Sequence, residues 1–338
     1  MNPRLLRVGA LAVGLLVIAI AIIVKVAGGS GGSGGATATG ASSTAPPAQS
    51  GQFGSDAADA VVVTIAYSPE KDQLLKTALA AFAKTSPTVN GHPVRVELKN
   101  VSSGAALTAL QQQTLQPTIW SPSSSLWGRL LTQVADVAWV PERSPSLVRT
   151  PLVIAMWEQQ AKALGWPATP LGWSDVLREA TSTAGWAAHG HPEWGPFRLG
   201  HTNPEFSTSG LSAVAAEYYA ATGKSEGLTL DDIAAAPVRQ KIRAIESSIV
   251  HYGDTTLFFA EQLAARGPAY ASAVAMEETT LVDFNARLRK GGQRLVAIYP
   301  KEGTFFSDNP LIVLTAPWVT ADQTQAAGLV VDYLRSPA

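Results

Sequence analysis

The 338-residue chain predicts an α/β fold in two lobes, carried behind a single N-terminal transmembrane helix. Three observations carry that prediction. Between Ala60 and Val134 the order strand, loop, helix occurs three times, which marks an open sheet with helices packed on it. From Leu152 a second series of strands and helices begins, and 338 residues are enough for two cores. Ahead of both, Val8–Val24 runs 17 residues without a charge.

Taken in order, Arg4 and Arg7 precede that apolar run, which at ~1.5 Å per residue covers about 25 Å and suffices for a bilayer span. Arginines on its N-terminal side place that end in the cytoplasm and the folded part outside the cell membrane. Residues 1–27 are therefore expected to be a single-pass anchor; cleavage near Ala36-Thr37-Ala38 is the rival reading. Residues 28–59, opening on Gly28–Gly35 and continuing Ala/Thr/Ser/Pro-rich, read as a flexible linker. The chain has no cysteine, so neither a lipid-modified cysteine nor a disulfide is available.

Ala60–Ala66 is a β-branched apolar run expected to be a buried parallel strand. Leu74, Leu75, Ala78, Leu79 and Phe82 form a helical stripe over Lys71–Lys84. Val94–Leu98 alternates as a strand, Ala105–Leu115 reads as a helix, and Pro117–Trp120 leads through Ser121–Ser125 into a helix from Leu126 to Val134. Loops after strand carboxyl ends form the ligand crevice of an open α/β sheet. Here those loops hold Tyr67-Ser68, Ser102-Ser103 and Ser121–Ser125.

In the second series, Leu152–Trp157, Phe197–His201, Ser272–Thr280, Leu295–Tyr299 and Leu311–Leu314 read as strands. Ser174 or Asp175 caps one helix, and Thr229–Ile233 opens another with Asp231 and Asp232 in its first turn. Val238–Ile249, Thr255–Ala265, Leu281–Leu288 and Ala321–Leu334 complete the helices, with Tyr252-Gly253-Asp254 as a turn. His201–Ala221 is the densest candidate. Asn203-Pro204 turns the chain, then Ser207, Thr208, Ser209 and Gly210 meet the start of an Ala-rich helix, whose unpaired N–H groups suit an oxygen-rich ligand or a simple cap.

Composition narrows function. With 25 basic and 26 acidic side chains and no basic run, nucleic acid is not an expected partner. No Gly-x-Ser-x-Gly elbow between a strand and a helix is present, the matches at Gly28–Gly35 and Gly223–Gly227 lying in the linker and after the Ala-rich helix, and neither Gly-x-x-x-x-Gly-Lys nor His-Glu-x-x-His occurs, so an enzyme is not expected. His189-Gly190-His191 with His201 is the sole metal candidate, and a polar loop is the preferred reading, so neither metal nor cofactor is expected. Trp120, Trp127 and Trp157 read as core or cleft walls, and Glu70 as an acid favouring a helix dipole.

Several segments carry a resemblance: Pro117–Ser125, SPSLVRTPLVIAMW, LGHTNPEFSTSG, IESSIVHYGDTTLF, VAIYPKEGT and NPLIVLTAPWV. Over residues 60–338 the chain resembles the bacterial extracellular solute-binding domain often fused to a von Willebrand A domain, and more distantly molybdate and sulfate binders. The resemblance implies a two-lobed, Venus-flytrap, periplasmic-binding-protein-like fold. Lobe 1 would be residues 60–150 with 308–338, and lobe 2 residues 151–307. Thr118 stands where the family commonly has an aspartate, and no von Willebrand A metal motif occurs. The implied role is capture of a small polar or anionic solute by hinge closure, for a transporter permease. The alternative is a non-transport sensor or a module that binds an envelope protein. The expected ligand residues are Tyr67, Ser68, Ser102, Ser103, Ser123, Ser124, Asn203, Ser207, Thr208, Ser209, Tyr252 and Tyr299.

Overall fold

The computed structural model describes residues 49–336, which divide into two compact units. One comprises residues 49–149 and 308–336; the other comprises residues 150–307, so the chain passes between them twice. The anchor expected over residues 1–27 and most of the expected linker lie outside the described residues. Among the described residues, no helix is long and apolar enough to cross a membrane.

In the discontinuous unit, β1 (Gln49–Gly54), β2 (Val61–Tyr67), α1 (Asp72–Ala83), β3 (Thr88–Val89), β4 (His92–Asn100), α2 (Ser103–Gln111), β5 (Ile119–Ser121) and α3 (Ser125–Ala135) follow in order. Strands β4, β2 and β5 are parallel, and β1 adds antiparallel to the outer edge of β4. This corrects the linker boundary, because the end of the stretch expected to be flexible is a strand. Its sequence has little apolar signal; Phe53, opposite Val96, packs on the core, and the open edge of β4 supplies the hydrogen bonds. The core below is Val63, Ile65, Val96 and Leu98 against Leu75, Leu79 and Phe82, the helical stripe read from the sequence.

The second unit runs β6 (Thr150–Trp157), α4 (Glu158–Ala163), α5 (Trp173–Ala180), β7 (Leu199–Thr202), α6 (Thr208–Thr222), α7 (Leu230–Ala234), α8 (Ala236–Ser248), β8 (Ile249–Gly253), α9 (Thr256–Arg266), β9 (Ala273–Glu277), α10 (Glu278–Ala286), β10 (Leu295–Ile298) and β11 (Phe306–Ser307). Its strand order is β10-β6-β9-β7-β8, with β11 beside the start of β6. Tyr252-Gly253, expected as a turn, closes β8, which pairs in parallel with β7. Glycine at 253 fits because a Cβ there would lie 2.7 Å from Phe258. The chain then returns to the first unit, where β12 (Ile312–Val313) pairs antiparallel with β5 and α11 (Ala321–Arg335) buries Ala326, Ala327, Val330 and Val331 in its core.

Two helix starts show how side chains set the ends. Thr229 and Asp232 cap α7 reciprocally. Asp175 accepts from Gly172 N at 2.9 Å, so Gly172, rather than Ser174 or Asp175, is the cap of α5. Glu302 accepts from Trp173 N and Ser174 N at 3.0 Å each, which serves the orphan donors and complements the dipole.

Candidate functional site

Strands β2, β4 and β5 end on the same edge of their sheet, and each is followed by a serine-bearing loop. Ser68 and Ser123 from their loops and Ser103 from the first turn of α2 converge there and are nearly inaccessible, at 2%, 5% and 2% exposure. Ser123 N donates to Ser103 Oγ at 3.1 Å, and Ser123 Oγ lies 3.0 Å from Ser68 Oγ. The sequence placed these three hydroxyls together by edge logic alone.

Two charged neighbours complete the cluster. Lys71, 2% exposed, donates to Ser68 Oγ and to Asn309 Oδ1 at 2.8 Å, with its Nζ 3.2 Å from Glu70 Oε1. The Glu70 carboxylate also lies 2.6 Å from Ser123 Oγ and accepts from Ser68 Oγ at 2.5 Å. Glu70 does sit in the first turn after Ser68, as read from sequence, but its side chain turns inward. Burial alone would push its pKa up; the Lys71 charge and the Ser123 and Ser68 hydroxyls outweigh this and hold it below the ordinary carboxylate value. The result is a donor set of two hydroxyls and an ammonium, engaged by an intramolecular carboxylate.

The other expected residues of this unit stand apart from that convergence. Tyr67 is fully buried in the core and donates to Asp72. Ser102 is the N-cap of α2, and Ser124 caps α3 by accepting from Leu126 N at 3.2 Å. Trp120 and Trp127 are buried as packing residues, and Thr118 uses its hydroxyl on Thr64 N at 3.3 Å.

In residues 150–307, Ser207 caps α6 through its backbone position, with no side-chain cap bond. Ser207 Oγ lies 3.0 Å from Ser209 Oγ, which lies 2.8 Å from Thr202 Oγ1, so these hydroxyls form a chain where β7 meets α6. Thr208 is buried beside them. Asn203 Oδ1 accepts from Glu205 N at 2.9 Å, closing the turn. Tyr252 and Tyr299 are half exposed and donate to Glu246 and Glu278; carboxylate acceptance pushes both phenol pKa values up, with burial leading for Tyr252.

The three histidines considered for metal do not converge. His189 pairs with Glu179 at 2.8 Å and His191 stacks on Trp194 at 3.7 Å. His201 lies instead with Glu217 of α6 and Glu246 of α8, both overlooked in the sequence; Glu217 is the only charged residue in Thr208–Thr222, which was the available signal.

A depression of about 480 Å³ in the same unit is lined by Trp157, Gln160, Trp194, Pro268 and Arg294. Trp157 ends β6, alongside the amino end of β9, so this cavity is on the edge opposite to the carboxyl ends of β7–β9. Trp157 Nε1 donates to Ala271 O at 2.9 Å, as a packing residue does.

Two α/β units with hydroxyl-bearing loops at strand carboxyl ends define the periplasmic-binding-protein fold class. Two of the solved structures that share it illustrate the likeness. The substrate-binding protein of an ABC transporter from Agrobacterium tumefaciens gives a TM-score of 0.56 at 13% identity, covering 86% of this chain and 80% of that one. A periplasmic thiamin-binding protein gives 0.54 at 12% identity, covering 84% and 81%. Residues 63–338 match the bacterial extracellular solute-binding proteins, and the chain belongs to that family. An uncharacterized protein of Mycobacterium tuberculosis strain H37Rv is 26% identical over 295 residues, 82% of this chain; the chain spans 40% of that relative's length.

Proposed function

We propose that this protein captures a small, oxyanion- or carboxylate-bearing solute outside the cell and presents it to a membrane permease. One observation carries the reading: Ser68, Ser103 and Ser123 converge from beyond three separate strands beside a buried ammonium. Glu70 already fills that donor set as a carboxylate, and its side chain keeps 20% exposure, so it can swing outward as an anionic solute takes its place. Displacement of one carboxylate by another keeps the Lys71 charge compensated throughout.

The finer parts of the reading belong to the same proposal. The folded part is tethered by residues 1–27, and the two units close on the solute, with Ser207, Ser209 and Tyr252 contributing from residues 150–307. A calorimetric panel of small carboxylates, oxyanions, sugars and amino acids tests it. The expected result is saturable binding to a carboxylate or oxyanion that weakens at least 10-fold in Ser68→Ala and in Ser103→Ala. A preference for neutral solutes, or binding untouched by both substitutions, would overturn it. Small-angle scattering with the bound solute is expected to show a smaller radius of gyration, and the full chain is expected in the membrane fraction after alkaline washing.

A further inference from the structure

The residues overlooked in the second unit make a site of a different chemistry. His201, one residue before the end of β7, is fully buried; its Nδ1 lies 2.7 Å from Thr202 O. A carbonyl only accepts, so Nδ1 carries the proton, and in the neutral ring Nε2 presents a lone pair. Nε2 stands 3.4 Å from Glu246 Oε1, so the neutral ring sets an acceptor opposite an acceptor there and only the charged ring donates. Glu217 is also fully buried, and no protein donor reaches its carboxylate oxygens, whose one polar neighbour is the Glu246 carboxyl. Ligand atoms of all three lie within 4.8 Å of one another. An uncompensated buried carboxylate is costly, and three lone-pair groups aimed together need a positive charge between them.

We propose that His201, Glu217 and Glu246 bind one divalent first-row transition ion. One imidazole nitrogen and two carboxylates form a borderline donor set that suits zinc, manganese, cobalt or ferrous iron, and the cysteine-free chain offers no thiolate to compete. A tetrahedral ion with bonds of about 2.0–2.2 Å holds its ligand atoms about 3.3–3.6 Å apart. His201 and Glu246 already stand at that spacing, and a side-chain rotation brings Glu217 in. The outer partners fit as well: His201 donates its other N–H to a carbonyl, and Tyr252 donates to Glu246 Oε2. Burial and then the Glu246 charge push the pKa of Glu217 well above the ordinary carboxylate value; burial acts the same way on Glu246, but its His201 contact outweighs this and holds it below. Bound, the ion ties α6 and α8 to the end of β7.

The test uses the tag-free full chain after chelator dialysis, loaded separately with zinc, manganese, cobalt or ferrous ions and desalted. One ion per chain by elemental analysis is expected for at least one metal. A Tm rise of about 5–10 °C is expected with that ion 100-fold above its Kd. Cobalt is expected to give visible d–d bands. Glu217→Gln removes a ligand without changing volume; its Tm in the metal-free state reports folding, and its affinity is expected to fall at least 10-fold. His189→Ala is expected to bind as the parent does. Absence of stoichiometric uptake of all four ions by the parent chain, or equal affinity in folded Glu217→Gln, would overturn the site in favour of a proton shared between two carboxyls.

Discussion

Replacing Glu70 by glutamine removes one negative charge and little else. The ammonium of Lys71, 2% exposed, then loses a counter-ion 3.2 Å away while keeping Asn309 Oδ1 at 2.8 Å and Ser68 Oγ. Removing one partner of a buried pair costs ~3–5 kcal/mol, and the two retained acceptors favour the lower end, about 3 kcal/mol. At about 3 °C per kcal/mol this is a Tm fall of about 9 °C at pH 7. Adding Lys71→Met removes the stranded charge, so the double variant is expected to recover most of the loss, giving a coupling energy of about 2 kcal/mol. The pH dependence has a fixed sign. The folded-state pKa of Glu70 lies below the ordinary value of 4.5, so its contribution is full above that value and is lost as pH falls through the folded pKa. Differential scanning calorimetry on the four proteins between pH 3 and pH 8 measures all of this. A Glu70→Gln cost below about 1 kcal/mol at pH 7, or a double variant no better than the single, would refute the buried-pair account.

Three further outcomes follow from geometry elsewhere. Gly210→Ala puts a Cβ 2.0 Å from Thr202 O where α6 meets β7, so a loss of about 3 kcal/mol is expected by chemical denaturation, and an unchanged midpoint would contradict that packing. Glu302→Ala leaves the Trp173 and Ser174 amides at the start of α5 without their acceptor, a cost of about 1–2 kcal/mol. Burial opposes ionisation of Glu302, but these donors hold its pKa below the ordinary value, so that cost is expected above pH 4.5 and to vanish as pH falls further. Glu217 has the opposite sign: its raised pKa makes the fold lose stability as pH climbs past 4.5, so metal-free Glu217→Gln is expected to gain Tm over the parent increasingly from pH 5 to pH 8.

What could be read from the amino-acid order tracks where local chemistry and tertiary demand agree. Val61–Tyr67 is β-branched and buried, and its strand, its parallel neighbours and the serines beyond them were all legible for that reason. Gln49–Gly54 was not, because an edge strand of glycine and glutamine takes its conformation from the backbone groups of β4 rather than from its own side chains. The polar cluster was half legible. The serines announce themselves as loop residues, but Glu70 turns inward because of a lysine next to it and a hydroxyl 53 positions away, and Asn309 reaches Lys71 across 238 positions. Periodicity carries no information about such meetings. A lone acid in an alanine-rich helix does, and Glu217 stood in plain view.

The double passage of the chain has a consequence for biosynthesis. A ribosome delivers β1 to β5 first, then the whole of residues 150–307, and only afterwards β12 and α11. The second unit is contiguous, so all of its strands are available to close its sheet while the first unit still lacks β12 and the helix that buries Ala326, Val330 and Val331 against Val63 and Ile65. The first part to be made is therefore the last to be finished, and until residues 308–336 emerge, a sheet face rich in valine and isoleucine has to be shielded from other chains by something other than this protein's own fold.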